Sequence, residues 1–533
     1  MQLFRSRHGF ATNSSSSHSI ILLKNGAKLR DTADAMTGDF GWDFFTAATR
    51  ETKALYFSCL IRDATNRMLP VPYMPKHPEA QAALWAAQKA LAQEAIVAVM
   101  GKLPQGLVLT DEYDSANIDH QSVYDLPTTH DGTQLNVDFA KDLWEFLARD
   151  DVAILGGNDN TDEVHPDARL GEKVAPALPQ DRRHDIRARR EPWGWSVFDR
   201  STGTRLHLGP GIAANTPATD VPKYGDTAGL ELKGYPDKSS TPELVDVKIT
   251  DFCPFGCTYC YQGSTPAGKH ADEDAVRRIA EKLRGLQVWE VALGGGEPTM
   301  HPRFLDILAS FAENHVVPNF TTRSTKWLED PIRLHRIMSL VGGVAFSVDT
   351  AEDVARFAAA LDTAGGGTAP SGPSGPPRSL WVNGASPYLG GDGRSRISFQ
   401  YVVGVGDENA FLSVARAVKN TGHRLTLLGY KTTGRGNSLK PYSYDWAAVL
   451  KDLGLYHVSI DTALAQNSRR MLAGVDPRSY FTQEGKHSCY IDAVAGTVGP
   501  SSYAPELMQA LHWSEWDAKD KKGRTFDALW KEW

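Results

Sequence analysis

The chain has 533 residues, 41% of them hydrophobic and 23% charged, with a formal net charge of −7 at neutral pH. It is long enough to bury a sizeable core, and its charge balance argues against broad binding to nucleic acid or to an anionic membrane surface. Five cysteines, three of them clustered, exclude a disulfide framework, and no apolar run approaches the ~20 residues of a membrane helix.

The first residues carry Arg5, Arg7 and His8 but lead into serines instead of an apolar core, so they do not read as a secretory signal, and a reducing cytoplasm is the expected location. Residues 1–175 read as a mixed α/β module with helical patterns near 78–100 and 137–149. Cys59 lies in the apolar run Ala54-Leu-Tyr-Phe-Ser-Cys-Leu and reads as a small buried hydrophobe. The opening Phe10-Ala-Thr-Asn13-Ser14-Ser15-Ser16-Ser17-His18-Ser19, with Gly38-Asp-Phe-Gly41-Trp42 and Gly156-Gly157-Asn158-Asp159-Asn160, resembles a module of bacterial and phage-type proteins, a resemblance that implies no activity. The Ser/His pair has no strand–Ser–helix elbow and no partner acid, which disfavours a hydrolase. Arg182, Arg183, Arg187, Arg189 and Arg190 read as a solvated or linker charge run. Residues 176–240 are rich in Pro, Gly and Thr and read as a bridge with short strands at 195–199 and 205–208.

From Glu243 the pattern becomes regular. Strands are expected at 244–250, 290–293, 316–322, 344–349, 397–404, 425–431 and 456–461. Helices fall between them, including 272–284 with Asp272 as N-cap, one begun by Pro302, and 352–361. Alternation at this length predicts parallel βαβ units and a barrel or partial barrel over 241–465. Residues 365–393, rich in Gly, Pro and Ser, read as a mobile insertion. Residues 466–533 read as a C-terminal extension.

The loop after the first of these strands is Asp251-Phe-Cys253-Pro-Phe-Gly-Cys257-Thr-Tyr259-Cys260. Three cysteines at offsets of four and three can converge on one metal centre, and thiolates suit iron–sulfur clusters. Zinc is the rival, but a closed zinc site needs a fourth ligand, and His270 inside a Gly/Pro/Lys turn is a poor one. The CxxxCxxC spacing, with aromatic Tyr259 before the last cysteine, between a strand and a helix, resembles the radical S-adenosylmethionine (SAM) superfamily. The resemblance implies a fold of class α/β, a partial (β/α)6 radical SAM barrel beside the mixed N-terminal region and a short C-terminal extension. It implies that Cys253, Cys257 and Cys260 hold a [4Fe-4S] cluster whose open iron binds SAM. Reductive cleavage of SAM then yields a 5′-deoxyadenosyl radical.

A second segment, Gly294-Gly295-Gly296-Glu297-Pro298, closes the next strand and is similar to the superfamily's GGE segment, which implies that its backbone and carboxylate hold the SAM amino group. Thr321-Thr322 and Ser347 with Asp349 close later strands. By the same resemblance Thr321, Ser347, Asp349 and Tyr259 are cofactor-binding positions, although residues there also serve to cap the following helices. The glycines of Val403-Gly404-Val405-Gly406 and the strand at 427–431 are further candidates for lining the adenine.

The segment from Cys489 to Gly499 is similar to the opening of the C-terminal extension of peptide-modifying radical SAM enzymes. With one cysteine it cannot hold an auxiliary cluster, and Cys489 reads as a small buried hydrophobe. The resemblance implies a peptide or protein side chain as substrate, and an external electron donor such as flavodoxin or ferredoxin. A small metabolite or nucleotide substrate, or a zinc-bearing binding module without catalysis, are the alternatives. The N-terminal module and the C-terminal tail are expected to cover the barrel mouth.

Overall fold

A computed structural model describes the chain apart from residues 1, 8–18, 24–25, 39, 41–43, 69–77, 110–125, 157–164, 166, 168–169, 174–184, 210–237, 365–394, 439, 446–448, 450–457, 468–483 and 512–521. The serine-rich opening, most of the Gly156–Asn160 segment and the Gly/Pro/Ser insertion lie outside the described residues. Two compact units emerge, Met1–Asp220 and Val221–Trp533.

The first unit is mixed α/β. Strands β1 (Gln2–Arg7), β2 (Ser19–Leu23), β3 (Phe45–Ala47), β4 (Val152–Gly156), β5 (Gly171–Lys173), β6 (Ile186–Glu191), β7 (Gly194–Asp199) and β8 (Thr204–Gly209) form two four-stranded sheets, ordered β3-β4-β2-β5 and β1-β8-β7-β6. Helices α1 (Ala33–Thr37), α2 (Arg50–Met68), α3 (Pro78–Met100) and α4 (Val137–Leu147) accompany them. Helix α2 is buried over most of its length, so Cys59 is the small core residue expected, its thiol pushed up to about 12 by burial. Lys53, fully buried on the same helix, donates to the carbonyls of Arg149 (2.7 Å) and Val152 (3.0 Å), which satisfies its ammonium inside the core.

Of the basic run, Arg182 and Arg183 lie outside the described residues and Arg190 is solvated as expected, its side chain 61% exposed, whereas Arg187 and Arg189 correct the sequence reading. Arg187 and Arg189 sit on strand β6 and are 7% and 4% exposed, not solvated. Each neighbour supplies a carboxylate: Arg189 meets Glu191 at 2.7 Å, Arg187 meets Asp185 at 2.5 Å and Arg190 meets Asp142 at 2.6 Å. A charge run can enter a sheet when its pairs enter with it.

The second unit carries the expected βα alternation. In order it comprises β9 (Leu244–Thr250), α5 (Glu273–Gly285), β10 (Glu290–Gly295), α6 (Phe304–Glu313), β11 (Val317–Thr322), α7 (Pro331–Leu340), β12 (Val344–Ser347), α8 (Ala351–Ala364), β13 (Ile397–Val402), α9 (Glu408–Thr421), β14 (Arg424–Leu428), β15 (Val458–Ile460) and α10 (Thr462–Asn467). The strands line up as β15-β14-β13-β12-β11-β10-β9, every pair parallel, which is the partial barrel anticipated. Helix α5 starts where its cap predicts, with Asp272 Oδ1 accepting from Ala275 N at 3.0 Å, and buries Val276, Ile279, Ala280 and Leu283. Helix α6 begins at Phe304, two residues after Pro302.

The C-terminal segment is more than an extension. Strand β16 (Ser488–Asp492) pairs in parallel with β9, and β17 (Thr497–Gly499) and β18 (Gln509–Ala510) continue the same sheet; helix α11 (Phe526–Glu532) follows. Strand β9, which precedes the cysteine loop, is therefore flanked on both sides.

Alternation along the strands sorts the two faces of this sheet. Val245, Val247, Ile249, Val291, Leu293, Val344, Phe346, Ile397, Phe399, Leu425 and Leu427 join one apolar cluster with the helices. The residues between them, including Asp246, Lys248, Glu290, Asn319, Thr321, Ser347, Ser398, Gln400 and Thr426, belong to the opposite, concave face. That face is polar: Asn319 Nδ2 donates to Glu290 Oε2 at 2.9 Å and Thr321 Oγ1 to Gln400 Oε1 at 3.3 Å.

Candidate active site

The cysteine loop folds back on the end of β9. Cys253 N donates to Thr265 O (3.0 Å), Asp251 N to Lys269 O (2.7 Å) and Phe252 N to Thr250 Oγ1 (2.9 Å), so both arms of the loop are pinned to one another. His270 sits at its foot, Nδ1 2.8 Å from Thr250 Oγ1. The three cysteines are free thiols, each half-buried. Burial raises Cys253 and Cys257, while the Phe255 N–H opposes the shift at the first and the Arg323 cation at the second.

A second loop clamps the first. Gly434 packs so closely that a Cβ there would meet Tyr261 O at 2.5 Å and Cys260 O at 2.7 Å. Arg435 then donates Nε to Cys257 O (2.9 Å), Nη1 to Ser264 O (2.8 Å) and its backbone N–H to Cys260 O (2.9 Å). Its Nη2 is buried without a hydrogen-bond partner among the described residues. A fixed cation with a spare donor beside three thiols suits a centre rich in negative sulfur. The donor set thus fits a cluster with three protein ligands.

The glycine segment divides by residue. Gly295 has φ +110°, and a Cβ on it would lie 2.3 Å from Thr250 O; one on Gly296 would lie 2.1 Å from Phe252 O. These two glycines let β10 press against the root of the cysteine loop, where Gly296 N donates to Thr250 O (2.6 Å) and Glu297 N to Phe252 O (2.8 Å). Only Gly294 of the three faces open space, with nothing within 4 Å of its would-be Cβ, on the concave face. The Glu297 carboxylate is buried and accepts from Thr299 N (3.2 Å), Thr299 Oγ1 (2.6 Å), Thr322 Oγ1 (2.7 Å) and Arg323 N (2.9 Å). Three of these donors meet Oε1 and one, Arg323 N, meets Oε2, so the carboxylate ties β10 to the end of β11. Burial raises its pKa against those bonds.

Tyr259 and Asp349 come together, through a residue that sequence reading missed. The Tyr259 hydroxyl donates to Asp349 Oδ1, and Arg323 Nη2 reaches both, at 2.6 Å from the phenol oxygen and 2.5 Å from the carboxylate. Burial, with Asp349 adding to it and Arg323 opposing, keeps the phenol protonated. Thr321 and Ser347 lie on the concave face nearby in the sheet, Thr321 engaged with Gln400. The Val403–Gly406 turn is held by the Tyr444 hydroxyl, which receives Gly404 N (3.1 Å) and donates to Gly406 O (2.9 Å).

Lys248 is a further residue the sequence reading missed. It projects from β9 to Asp251 (2.5 Å) and Asp492 (3.0 Å), stapling the cysteine loop and β16 to one strand. The signal was present in Asp246 and Lys248, polar residues alternating with Val245, Val247 and Ile249. Cys489, by contrast, lies on the apolar face of β16, 2% exposed, with its thiol pushed well up by burial.

Known proteins resemble the chain in sequence over part of its length and, more distantly, in structure. Residues 247–363 match the family described as the radical SAM superfamily, and Cys253, Cys257 and Cys260 fit its CxxxCxxC motif. The GTP 3′,8-cyclase of Edwardsiella ictaluri (strain 93-146) is 37% identical over 76 residues, which span 13% of this chain and 23% of that enzyme. Among solved structures, Streptococcus suis SuiB bound to the precursor peptide SuiA is similar with a TM-score of 0.41 and 12% identity, over 65% of this chain and 87% of that one. Native anSMEcpe with bound AdoMet and the Kp18Cys peptide gives a TM-score of 0.36 at 12% identity, over 54% and 81%.

Proposed function

We propose, from the match of residues 247–363 to the radical SAM superfamily, that the chain is an enzyme that cleaves SAM reductively at a [4Fe-4S] cluster and modifies a peptide or protein side chain. The observation that carries the reading is one loop presenting three free, half-buried thiols at the end of a parallel strand, clamped by Arg435.

Cys253, Cys257 and Cys260 would hold the cluster, and Gly294 with the concave ends of β11 and β12 would receive SAM. When bound, these cofactors supply the one-electron chemistry that forms a 5′-deoxyadenosyl radical. The chain's own residues position them. Arg323 and Asp349 fix Tyr259 between two of the cysteines, Lys248 anchors the loop's first arm, and Glu297 locks the neighbouring strand ends. Residues at the C-terminal mouth of a parallel barrel are where such folds place ligands.

The likeness of the Cys489 segment to the extensions of peptide-modifying enzymes favours a peptide substrate. The match to a cyclase that acts on GTP favours a nucleotide instead. An external flavodoxin- or ferredoxin-like protein would supply the electron.

The test is anaerobic reconstitution, reduction and addition of SAM, with 5′-deoxyadenosine read by mass spectrometry. Its formation, lost when Cys253, Cys257 and Cys260 are changed together to Ala, is the expected result. Zinc in place of iron, with no cleavage, would overturn the proposal.

A further inference from the structure

The residue after Cys260 opens onto a charged group that the cofactor chemistry leaves unused. Lys431 Nζ lies 4.6 Å from the ring centroid of Tyr261 and 4.9 Å from that of Tyr503. Asp246, Asp461 and Glu484 all act electrostatically on this ammonium. Yet none of their oxygens comes within the 4.0 Å of an ion pair, and Nζ makes no hydrogen bond among the described residues. Four half-buried charges thus act on one another without direct contact.

Each carboxylate also has an oxygen to spare among the described residues. Asp461 Oδ1 takes Gly429 N (2.8 Å) and Leu464 N (2.7 Å), leaving Oδ2. Glu484 Oε1 accepts from the Tyr503 hydroxyl at 3.1 Å, leaving Oε2. Asp246, on the concave side of β9 between core-facing Val245 and Val247, has neither oxygen hydrogen-bonded. Burial, and for Glu484 the neighbouring Asp246, push Asp246 up to about 6 and Glu484 up to about 7. Charges drawn half out of water and held short of contact give little stability back, so as a purely structural device the arrangement is a poor one. The acids outnumber the base by two. A ligand that donates charged N–H groups to them, and offers an oxygen to Lys431, would complete the set.

We propose that the barrel interior beside the cysteine loop recognises a basic group of the substrate, a primary ammonium or a guanidinium, between Asp246, Asp461 and Glu484, while Lys431 takes a neighbouring carbonyl or carboxylate oxygen. This deepens the peptide reading and rests on it: the group would be a Lys or Arg side chain, or a chain-terminal amine, lying next to a peptide carbonyl.

The experiment uses the reconstituted full chain and capped pentapeptides Gly-Gly-X-Gly-Gly with X Lys, Arg, Leu or Glu, plus butylamine, titrated by calorimetry. Lys and Arg peptides are expected to bind roughly ten-fold or more tighter than Leu and Glu peptides, since charge-assisted bonds are the strong ones. Asp246→Asn with Glu484→Gln, or the near-isosteric Glu484→Gln alone should the double variant not fold, should shrink that preference at unchanged SAM affinity and iron content. Lys431→Met should weaken peptides while sparing butylamine, which has no oxygen to offer. Equal binding of all four peptides, a preference that survives the variants, or a loss confined to SAM affinity would each overturn the proposal. 5′-Deoxyadenosine formation is read separately, so failure of the radical reading is not confused with failure of this one.

Discussion

Arg323 Nη2 lies 2.5 Å from Asp349 Oδ1, and through that pair the ends of β11 and β12 reach a tyrosine that stands between two cysteines. Because the pair is partly exposed, its value lies in holding Tyr259 as much as in Coulomb energy. Arg323→Met should leave Asp349 and the phenol without their shared donor, at a cost of about 1–3 kcal/mol. Thermal unfolding of the apo-chain and the rate of iron loss after reconstitution should both show it, while Asp349→Asn, which keeps an acceptor for the phenol, should be milder. An Arg323→Met protein that retains iron as long as the parent would refute this role.

Glu297 makes a sharper case. Oε1 takes three donors and Oε2 one, so Glu297→Gln keeps an acceptor for the three, weakened by loss of the charge, and turns its N–H2 group toward the Arg323 N–H. Stability should fall by about 2–3 kcal/mol in the complete absence of cofactor. If the apo-protein unfolds at the parent temperature and only SAM affinity drops, the carboxylate serves the cofactor and not the strand ends.

Gly294 and Gly295 should part company on the same substitution. Gly295→Ala meets the Thr250 carbonyl at 2.3 Å in a backbone conformation with φ +110°, and the strain alone costs ~1–3 kcal/mol. Gly294→Ala meets nothing within 4 Å and should leave the apo-fold intact while lowering SAM affinity. Equal damage from both, measured by unfolding without cofactor, would contradict the division.

The interior charges predict a pH dependence. Asp246 and Glu484 titrate in the folded chain at about 6 and about 7, above the usual carboxylate values near 3.8 and 4.5, and Asp461 is raised as well. Their native forms bind protons more readily than the unfolded chain does. The stability they contribute is therefore full below about pH 4 and lost as pH rises through 6 to 7. Glu290, Lys431 and Tyr503 face the same space and set the size of the effect. Between pH 5 and 8 the unfolding midpoint should fall, and Asp246→Asn with Glu484→Gln should flatten that slope. An unchanged slope in the variant would show that other groups govern it.

What the sequence made legible follows the range of the forces involved. The helix begun by Asp272 and the strands from β9 to β15 were readable because capping and alternation are local. The three cysteines were readable because one loop carries them all. Arg323 and Arg435 were not, since each acts across the fold on a loop more than sixty residues away in the chain. Asp246 and Lys248 gave a signal in their alternation with valines, but only the curvature of the sheet makes that face an interior. Arg187 and Arg189 misled because charge alone does not reveal that Asp185 and Glu191 travel with them.

The pairing of β9 with β16 also sets an order of events during synthesis. Leu244 pairs with Ser488, and Asp492 is one of the two anchors of Lys248. The ribosome adds about 5–20 residues per second, so the strand bearing the cysteine loop waits on the order of tens of seconds for its second neighbour. During that interval the loop hangs from a bare sheet edge, with its thiols open to air and to stray metals. Iron delivered to the nascent chain would meet a half-built socket; iron delivered after release would meet a finished one.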